Sequence, residues 1–507
     1  MAFERQSIKR WTWMIFGLSL VTLGPGLSAT LSYHEAIVAQ GAREMLADQS
    51  VLIPTLNGQP WLEKPPLLHW LVMISASLFG GVSEFSARIP SVFATFGISL
   101  AVFTIARRRC GVTVGGLAGC IQTTMIWSVV RGRLAESDIV LACLIAWIIV
   151  GVDYVRQFDS RSKRVIRWIW LGIGMTSLLK GIGFGIALLG VIFLLVMIWD
   201  RDWQRLRLFL DPVALALGLL AVSVWPLLVL ARYPEVLGLW TVHVADRFAE
   251  RPTMFAGQSV WWAYLPVILT STIPWMPLYF LAVRSSIKRA RSTSLGLDRL
   301  LLCWAIGPVV LLSFASVKNP HYLIHALAPW SIWAAMGMMR VYQWRLVQGR
   351  SEFKLKTLAR ISFVGLAIML GLGVGVVAPN FDRRSSEWLF YEKASHQIPV
   401  NETVILLYDD WDRLPYPTPF GPVPHDLAIR LFYLQREVHW REGVDHWENL
   451  PESSFLTIAR DRDFEGLTRI GKVRKIVQGP TLRWDRSFAL FRVSPEVKLS
   501  SNHRVQE

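Results

Sequence analysis

Between residues 11 and 379 the chain is a succession of apolar runs separated by short charged connections. A run of about 20 apolar residues matches the thickness of a bilayer's hydrocarbon layer. In that layer a backbone can satisfy its polar groups only within helices or closed barrels. The runs at 11–31, 86–106, 112–130, 138–155, 168–179, 182–199, 208–231, 258–283, 300–315, 322–339 and 361–379 predict a polytopic α-helical membrane bundle of about eleven to thirteen spans. A composition with 53% hydrophobic residues, 24 Trp and a mean hydropathy of +0.38 fits no soluble protein of this length. The four cysteines, Cys110, Cys120, Cys143 and Cys303, lie in or beside these runs without metal-ligand spacing and read as small core residues.

The net charge of +16 is distributed in a way that excludes a nucleic-acid face. Taking every second connection, beginning with the N-terminus, collects 25 Lys and Arg, against 10 in the alternate connections. This is the bias of cytoplasmic over translocated loops. It predicts a cytoplasmic N-terminus in an uncleaved first span. It also predicts an extracytoplasmic tail, in the periplasm if the cell is Gram-negative and the membrane its cytoplasmic (inner) one. Residues 1–379 read as the membrane domain, with an outer juxtamembrane loop at 32–85. Residues 380–507 read as a soluble α/β domain, with strands at 403–408, 454–459, 473–477 and 488–493 and a helix at 425–435.

The charge-poor connections hold compact strings of ionisable residues. The first carries Tyr33-His34-Glu35, Arg43-Glu44-Met45-Leu46, Asn57-Gly58 and Glu63-Lys64-Pro65-Pro66. Residues 33–48 read as an amphipathic helix lying on the membrane surface, and Asn57-Gly58 as a turn. The prolines keep Lys64 extended and present Glu63 and Lys64 rigidly beside the bilayer, with an interfacial salt bridge and a snorkelling lysine as the lesser reading. Further strings are Arg131-Gly132-Arg133 with Glu136-Ser137-Asp138, Lys180-Gly181, His243 with Asp246-Arg247-Phe248, and Lys318-Asn319-Pro320-His321-Tyr322. All sit at one end of the spans, where costly ionisable groups mark functional sites. Carboxylates among fixed cations suit chemistry on a phosphate-bearing lipid. His69 and His325 read as satisfied core histidines.

These strings, in this order and with Ala87-Arg88-Ile89-Pro90-Ser91, resemble the GT-C membrane glycosyltransferases, in the branch of the lipid A aminoarabinose transferases and protein O-mannosyltransferases. The resemblance covers residues 10–340. It implies transfer of a sugar from a polyprenyl-phosphate donor to a glycolipid, an envelope glycan or a protein, with membrane lipid as a partner and no nucleic acid. Glu35, Asp138 and Lys64 are the implied catalytic residues. His34, Glu63, Arg133, Lys180, Arg247, Lys318, His321 and Tyr322 are the implied substrate contacts. A divalent metal on Glu63, His34 and His243 is a candidate cofactor. The family opens its first loop with Asp-Glu, whereas here His34 takes the Asp place, leaving Glu35, Asp138 or no strong base to act. A flippase or transporter of lipid-linked sugars is the alternative, but neither repeats nor paired half-helices are visible.

Overall fold

The structure is a computed structural model that describes residues 2–158, 162–201, 203–241, 260, 262–293, 296–316, 318–399, 402–408, 416–418, 421–423, 427–442, 453–482 and 486–495, apart from 381–384. Its helices are α1 (Ala2–Leu23), α2 (Tyr33–Ala47), α3 (Leu67–Leu78), α4 (Glu84–Cys110), α5 (Val112–Thr123), α6 (Ile126–Arg131), α7 (Ser137–Phe158), α8 (Lys163–Lys180), α9 (Phe184–Asp200) and α10 (Pro212–Arg232). They continue with α11 (Tyr264–Ser271), α12 (Met276–Ser292), α13 (Leu297–Ser313), α14 (Ala328–Val347), α15 (Glu352–Leu372), α16 (Ser385–Gln397) and α17 (Leu427–Leu434).

A helix stands at each of the eleven expected runs, so the polytopic helical bundle is present. Among the described residues only α4, α7, α10 and α15 with its extension to Val377 are long and apolar enough to cross a bilayer by themselves. α11 and α12, bent by 115° at their junction, add a fifth if they count as one span. The expected eleven to thirteen full spans therefore reduce to four or five by this measure. Two causes act. α5 with 12 residues and α9 and α13 with 17 each are short, whereas a perpendicular crossing needs about 20. α1, α8 and α14 are 22, 18 and 20 residues long but not apolar enough along that length.

The loop at 32–85 is more ordered than expected. Asn57 and Gly58, with φ of 55° and 73°, form a two-residue turn between β1 (Thr55–Leu56) and β2 (Gln59–Pro60), as left-handed positions in a tight hairpin require. α3 follows Pro66 and is a helix that the charge pattern did not reveal. α2 is not an exposed amphipathic helix: Glu35 to Ala42 and Met45 are all buried within the protein. It is covered by α3, α4 and, unexpectedly, α17 of the tail.

The tail folds as a sheet in the order β6 (Val438–Glu442), β3 (Val404–Tyr408), β7 (Phe455–Arg460), β9 (Arg486–Pro495), β8 (Gly471–Leu482). β6, β3 and β7 pair in parallel, and β9 joins antiparallel. A separate hairpin comprises β4 (Tyr416–Thr418) and β5 (Gly421–Val423). The four expected strands and the helix are all present; β6 and α16 are additional. The tail shares one apolar core with the bundle, since Leu427, Leu431 and Leu434 cluster with Ile37, Val38 and Ala42. The string Arg43-Glu44 explains the attachment. Arg43 donates to the Phe432 carbonyl at 2.7 Å and covers its ring at 4.1 Å, while Glu44 accepts from the Asn57 and Gly58 amides. Asn57 then exchanges two hydrogen bonds with the Val438 backbone.

α4 carries Arg88 near its first turn and Arg107 to Arg109 in its last. Its 27 residues place these ends roughly 40 Å apart. Single cysteines at positions 64 and 108, in a background lacking the four native ones, should react with an impermeant maleimide from opposite faces of a sealed membrane. Labelling of both from one face would overturn this arrangement.

Candidate functional site

The core of the site is set by where α4, α7, α8 and the segment Pro320–Ala326 end beside the N-terminus of α2. Glu35 is 1% exposed and fully coordinated. It accepts from Arg88 Nε at 2.7 Å and Nη2 at 3.1 Å, from the Ser32 amide at 2.9 Å and from the Ala135 amide at 3.0 Å. Burial works to raise its pKa, but Arg88 and the two amides outweigh burial and hold it below the usual carboxylate range. Arg88 spends its remaining donors on the carbonyls of Leu27, Ala29 and Thr30. Both side-chain oxygens of Glu35, expected as a catalytic carboxylate, are thus engaged in anchoring the 24–32 turn and the Ala135 segment.

Arg133 is likewise withdrawn from substrate. It donates to the carbonyls of Val129, Pro25 and Thr22. Glycine is required at 375 because a Cβ there would collide with the Arg133 guanidinium and the Pro25 carbonyl. Arg133, expected as a substrate contact, has its fork occupied by these carbonyls in this structure.

Asp138 is the centre of the remaining cluster. One oxygen is paired with Lys180 and lies 3.4 Å from His325 Nε2; the other lies 3.9 Å from His321 Nε2. The Lys180 ammonium also sits 3.9 Å from the centre of the Tyr322 ring and 4.9 Å from that of Phe184. Asp138, Lys180, His321 and Tyr322 therefore come together as expected. His325 joins them: it is a core histidine, but one that faces Asp138. His34 is exposed, packs edge-on to Tyr33 and is close enough to His321 to depress its pKa. Burial is the main cause of that depression, which Asp138 opposes and Lys180 and Arg131 reinforce, taking His321 to about 3. Lys318 donates to the Ala315 carbonyl at 2.8 Å.

Glu63 and Lys64 form an ion pair of 3.7 Å, with side chains 18% and 37% exposed. Leu62 beside them packs with Trp225 and Val229, and Leu178, two residues before Lys180, packs on the same cluster. The hairpin is pinned there by Trp225 Nε1 and Trp240 Nε1, which donate to the carbonyls of Leu52 and Leu62. Lys64 thus stands at the Lys180 end of α8. His69 is buried against Gly41; contrary to expectation, neither ring nitrogen has a hydrogen-bond partner among the described residues. Arg247 and His243 lie outside the described residues. Among those described, no three His, Cys, Asp or Glu side chains are arranged to hold a metal ion, and the third residue of the expected metal set, His243, is outside them.

Sequence reasoning did not single out Glu136 for a role. Both its oxygens accept from Arg131 Nη1, at 2.9 and 2.8 Å. Burial, with Asp138 and Glu35 nearby, lifts its pKa to about 7 against the pull of Arg131 and Lys180. The signal was present in the string Arg131 to Asp138, but which acid pairs with which base depends on the fold. A folded-state pKa above the unfolded value means that the native protein binds the extra proton. Stability should fall as pH rises from about 4.5 to 7, through the interval between the two values. Glu136→Gln should flatten that part of the melting-temperature profile; an unchanged slope would reject the shift.

A family model described as dolichyl-phosphate-mannose-protein mannosyltransferase matches residues 63–227. The undecaprenyl phosphate-alpha-4-amino-4-deoxy-L-arabinose arabinosyl transferase of Erwinia tasmaniensis is 28% identical over 354 residues, 68% of this chain and 62% of that protein. The enzyme of that name from Edwardsiella ictaluri is 30% identical over 312 residues, 61% of this chain and 55% of that protein. The chain thus spans about three fifths of the length of these relatives. Among solved structures, ArnT from Cupriavidus metallidurans bound to undecaprenyl phosphate superposes with a TM-score of 0.74 at 17% identity, covering 95% of this chain and 97% of that one. The oligosaccharyltransferase AglB from Archaeoglobus fulgidus gives 0.51 at 12% identity, covering 90% of this chain and 70% of that one. Sequence similarity and fold coincide on the GT-C type of membrane transferase to which the aminoarabinose transferases belong.

Proposed function

We propose that this GT-C-type chain is a glycosyltransferase that moves a sugar from a polyprenyl-phosphate carrier to a glycolipid of the lipid A kind, another envelope glycan or a protein. We place the reaction at the outer face of a bacterial inner membrane, with residues 380–507 as an extracytoplasmic domain. The observation that carries the reading is the gathering of Asp138, Lys180, His321 and Tyr322 at the end of the bundle where the hairpin holds Lys64.

In the proposed reaction the bond between the anomeric carbon and the carrier phosphate breaks while an acceptor oxygen bonds to that carbon. The pair leaves with the phosphate, whose growing charge is met by Lys64, fixed beside Glu63 and needing no reorganisation at that moment. Lys180 adds a second cation, held in place by Asp138 and by the aromatic walls of Tyr322 and Phe184. Lys318 and Arg247 are assigned to donor binding at the same end. If the acceptor is a hydroxyl, its proton passes to Asp138, the carboxylate that Glu35 cannot replace. A phosphate acceptor is already ionised and needs no base, which accords with His34 in the place of an acid. A divalent ion on Glu63, with His34 and His243, is kept apart as its own proposal; it would be supported by turnover that falls on chelation and returns with added metal.

Lys64→Ala should lower turnover with a polyprenyl-phosphate sugar by about 10²-fold or more while the protein still folds, and normal turnover would remove Lys64 from the mechanism. Asp138→Asn and Glu35→Gln separate the two carboxylates. The first should depress turnover per folded molecule with a hydroxyl acceptor by about 10²-fold, beside a fall in melting temperature because the buried Lys180 loses its partner. Glu35→Gln should lower the melting temperature without that loss of turnover per folded molecule, because a buried Arg88 loses its counter-charge at a cost of roughly 3–5 kcal/mol. A stable Glu35→Gln protein without activity would return the base to Glu35.

A further inference from the structure

The end of the bundle away from this site holds a cavity of about 650 Å³ where α4, α12, α13 and α14 meet. Four arginines line it, Arg108, Arg109, Arg289 and Arg340, with Asp298 as the lone acidic lining residue. Arg289 forms a two-point pair with Asp298, at 2.8 and 2.7 Å. Arg109 lies 3.6 Å from Asp153, which is outside the cavity wall. Arg108 covers the Tyr154 ring, and Arg340 donates to the Leu281 carbonyl and the Ser285 hydroxyl. Among the described residues no carboxylate lies within ion-pair distance of either of these last two, though Asp153 feels the charge of Arg108, and both are exposed at the rim. Met336, Met339 and Val114 supply an apolar wall beside them.

A basic bias is expected at one end of any such bundle. Four guanidiniums converging on one void from three helices is a stronger arrangement. Their mutual repulsion is relieved by an anion that accepts several forked hydrogen bonds, which phosphate does well. The adjoining methionines then suit the acyl chain of an amphiphile, since flexible thioethers fill irregular gaps. We propose that this cavity is a second binding site, separate from the transfer site, which takes the phosphate group of an anionic phospholipid in the facing leaflet. Basic pockets between membrane helices are known to suit such headgroups.

The test uses the full chain in detergent and native mass spectrometry. Phosphatidylglycerol should be retained about tenfold more than phosphatidylcholine of the same acyl chains. The double variant Arg108→Gln, Arg340→Gln should lose that preference. Arg350→Gln with Lys354→Gln removes as much charge from the same end but outside the cavity, and should keep it. Equal retention of the two lipids by the wild-type protein would overturn the proposal without any variant, as would equal loss in the two double variants. Displacement of the lipid by millimolar inorganic phosphate would assign the arginines to the free anion and overturn the lipid as their ligand. Each readout is binding rather than turnover, so the outcome is independent of the proposed transfer reaction.

Discussion

The contact between Arg88 and Glu35 governs the arrangement of everything at the chemical end of the molecule. Both groups are almost fully buried, and an isolated charge at that depth is costly enough that the pair persists only because every donor and acceptor is used. On the Arg88 side, the carbonyls from Leu27 to Thr30 are drawn into a tight turn after α1. On the Glu35 side, the Ser32 amide caps α2 and the Ala135 amide brings in the segment that leads to Asp138. One ion pair therefore fixes three separate stretches of chain. Arg133 repeats the device one layer away by binding Thr22, Pro25 and Val129.

The same economy connects the tail. Glu44 shapes the Asn57-Gly58 turn, and Arg43 and Asn57 bind the backbone of the tail at Phe432 and Val438. The hairpin that offers Lys64 is thus braced by the tail at its turn and by two tryptophan donors at its base. Such bracing is what electrostatic catalysis demands, because a cation contributes most when it need not move to meet new charge.

Hydropathy and charge bias made the positions of the helices legible, and a short apolar run exposed the tail strand at 455–460, which is buried at every position. α3 escaped because its 12 mostly apolar residues fall below the length of a span and directly follow a proline-rich turn. The burial of α2 escaped for a different reason: its apolar face predicted a surface helix, while its other side is covered by α17, almost 400 residues later. Within the site, the strings marked which residues gather but not which are consumed by the fold. Glu35 finds Arg88 at a separation of 53 residues and Asp138 finds Lys180 at 42. No local spacing distinguishes a carboxylate that will be saturated from one that will face a substrate.

The ion pairs also bear on what the site can accept. Glu35, Glu136 and Asp138 each hold a cation, so the acids near the reaction centre serve first to position positive charge. Among these pairs only that of Asp138 is flanked by imidazoles, one on each oxygen. In the proposed reaction, removing a proton from a sugar hydroxyl would draw Asp138 away from Lys180 and weaken the grip on a departing phosphate. An acceptor that arrives ionised would leave the pair intact and add its own charge to a region already rich in cations. Within that proposal, an imidazole at position 34, where an acid would repel it, tips the balance of charge toward a phosphate-bearing acceptor over a neutral one.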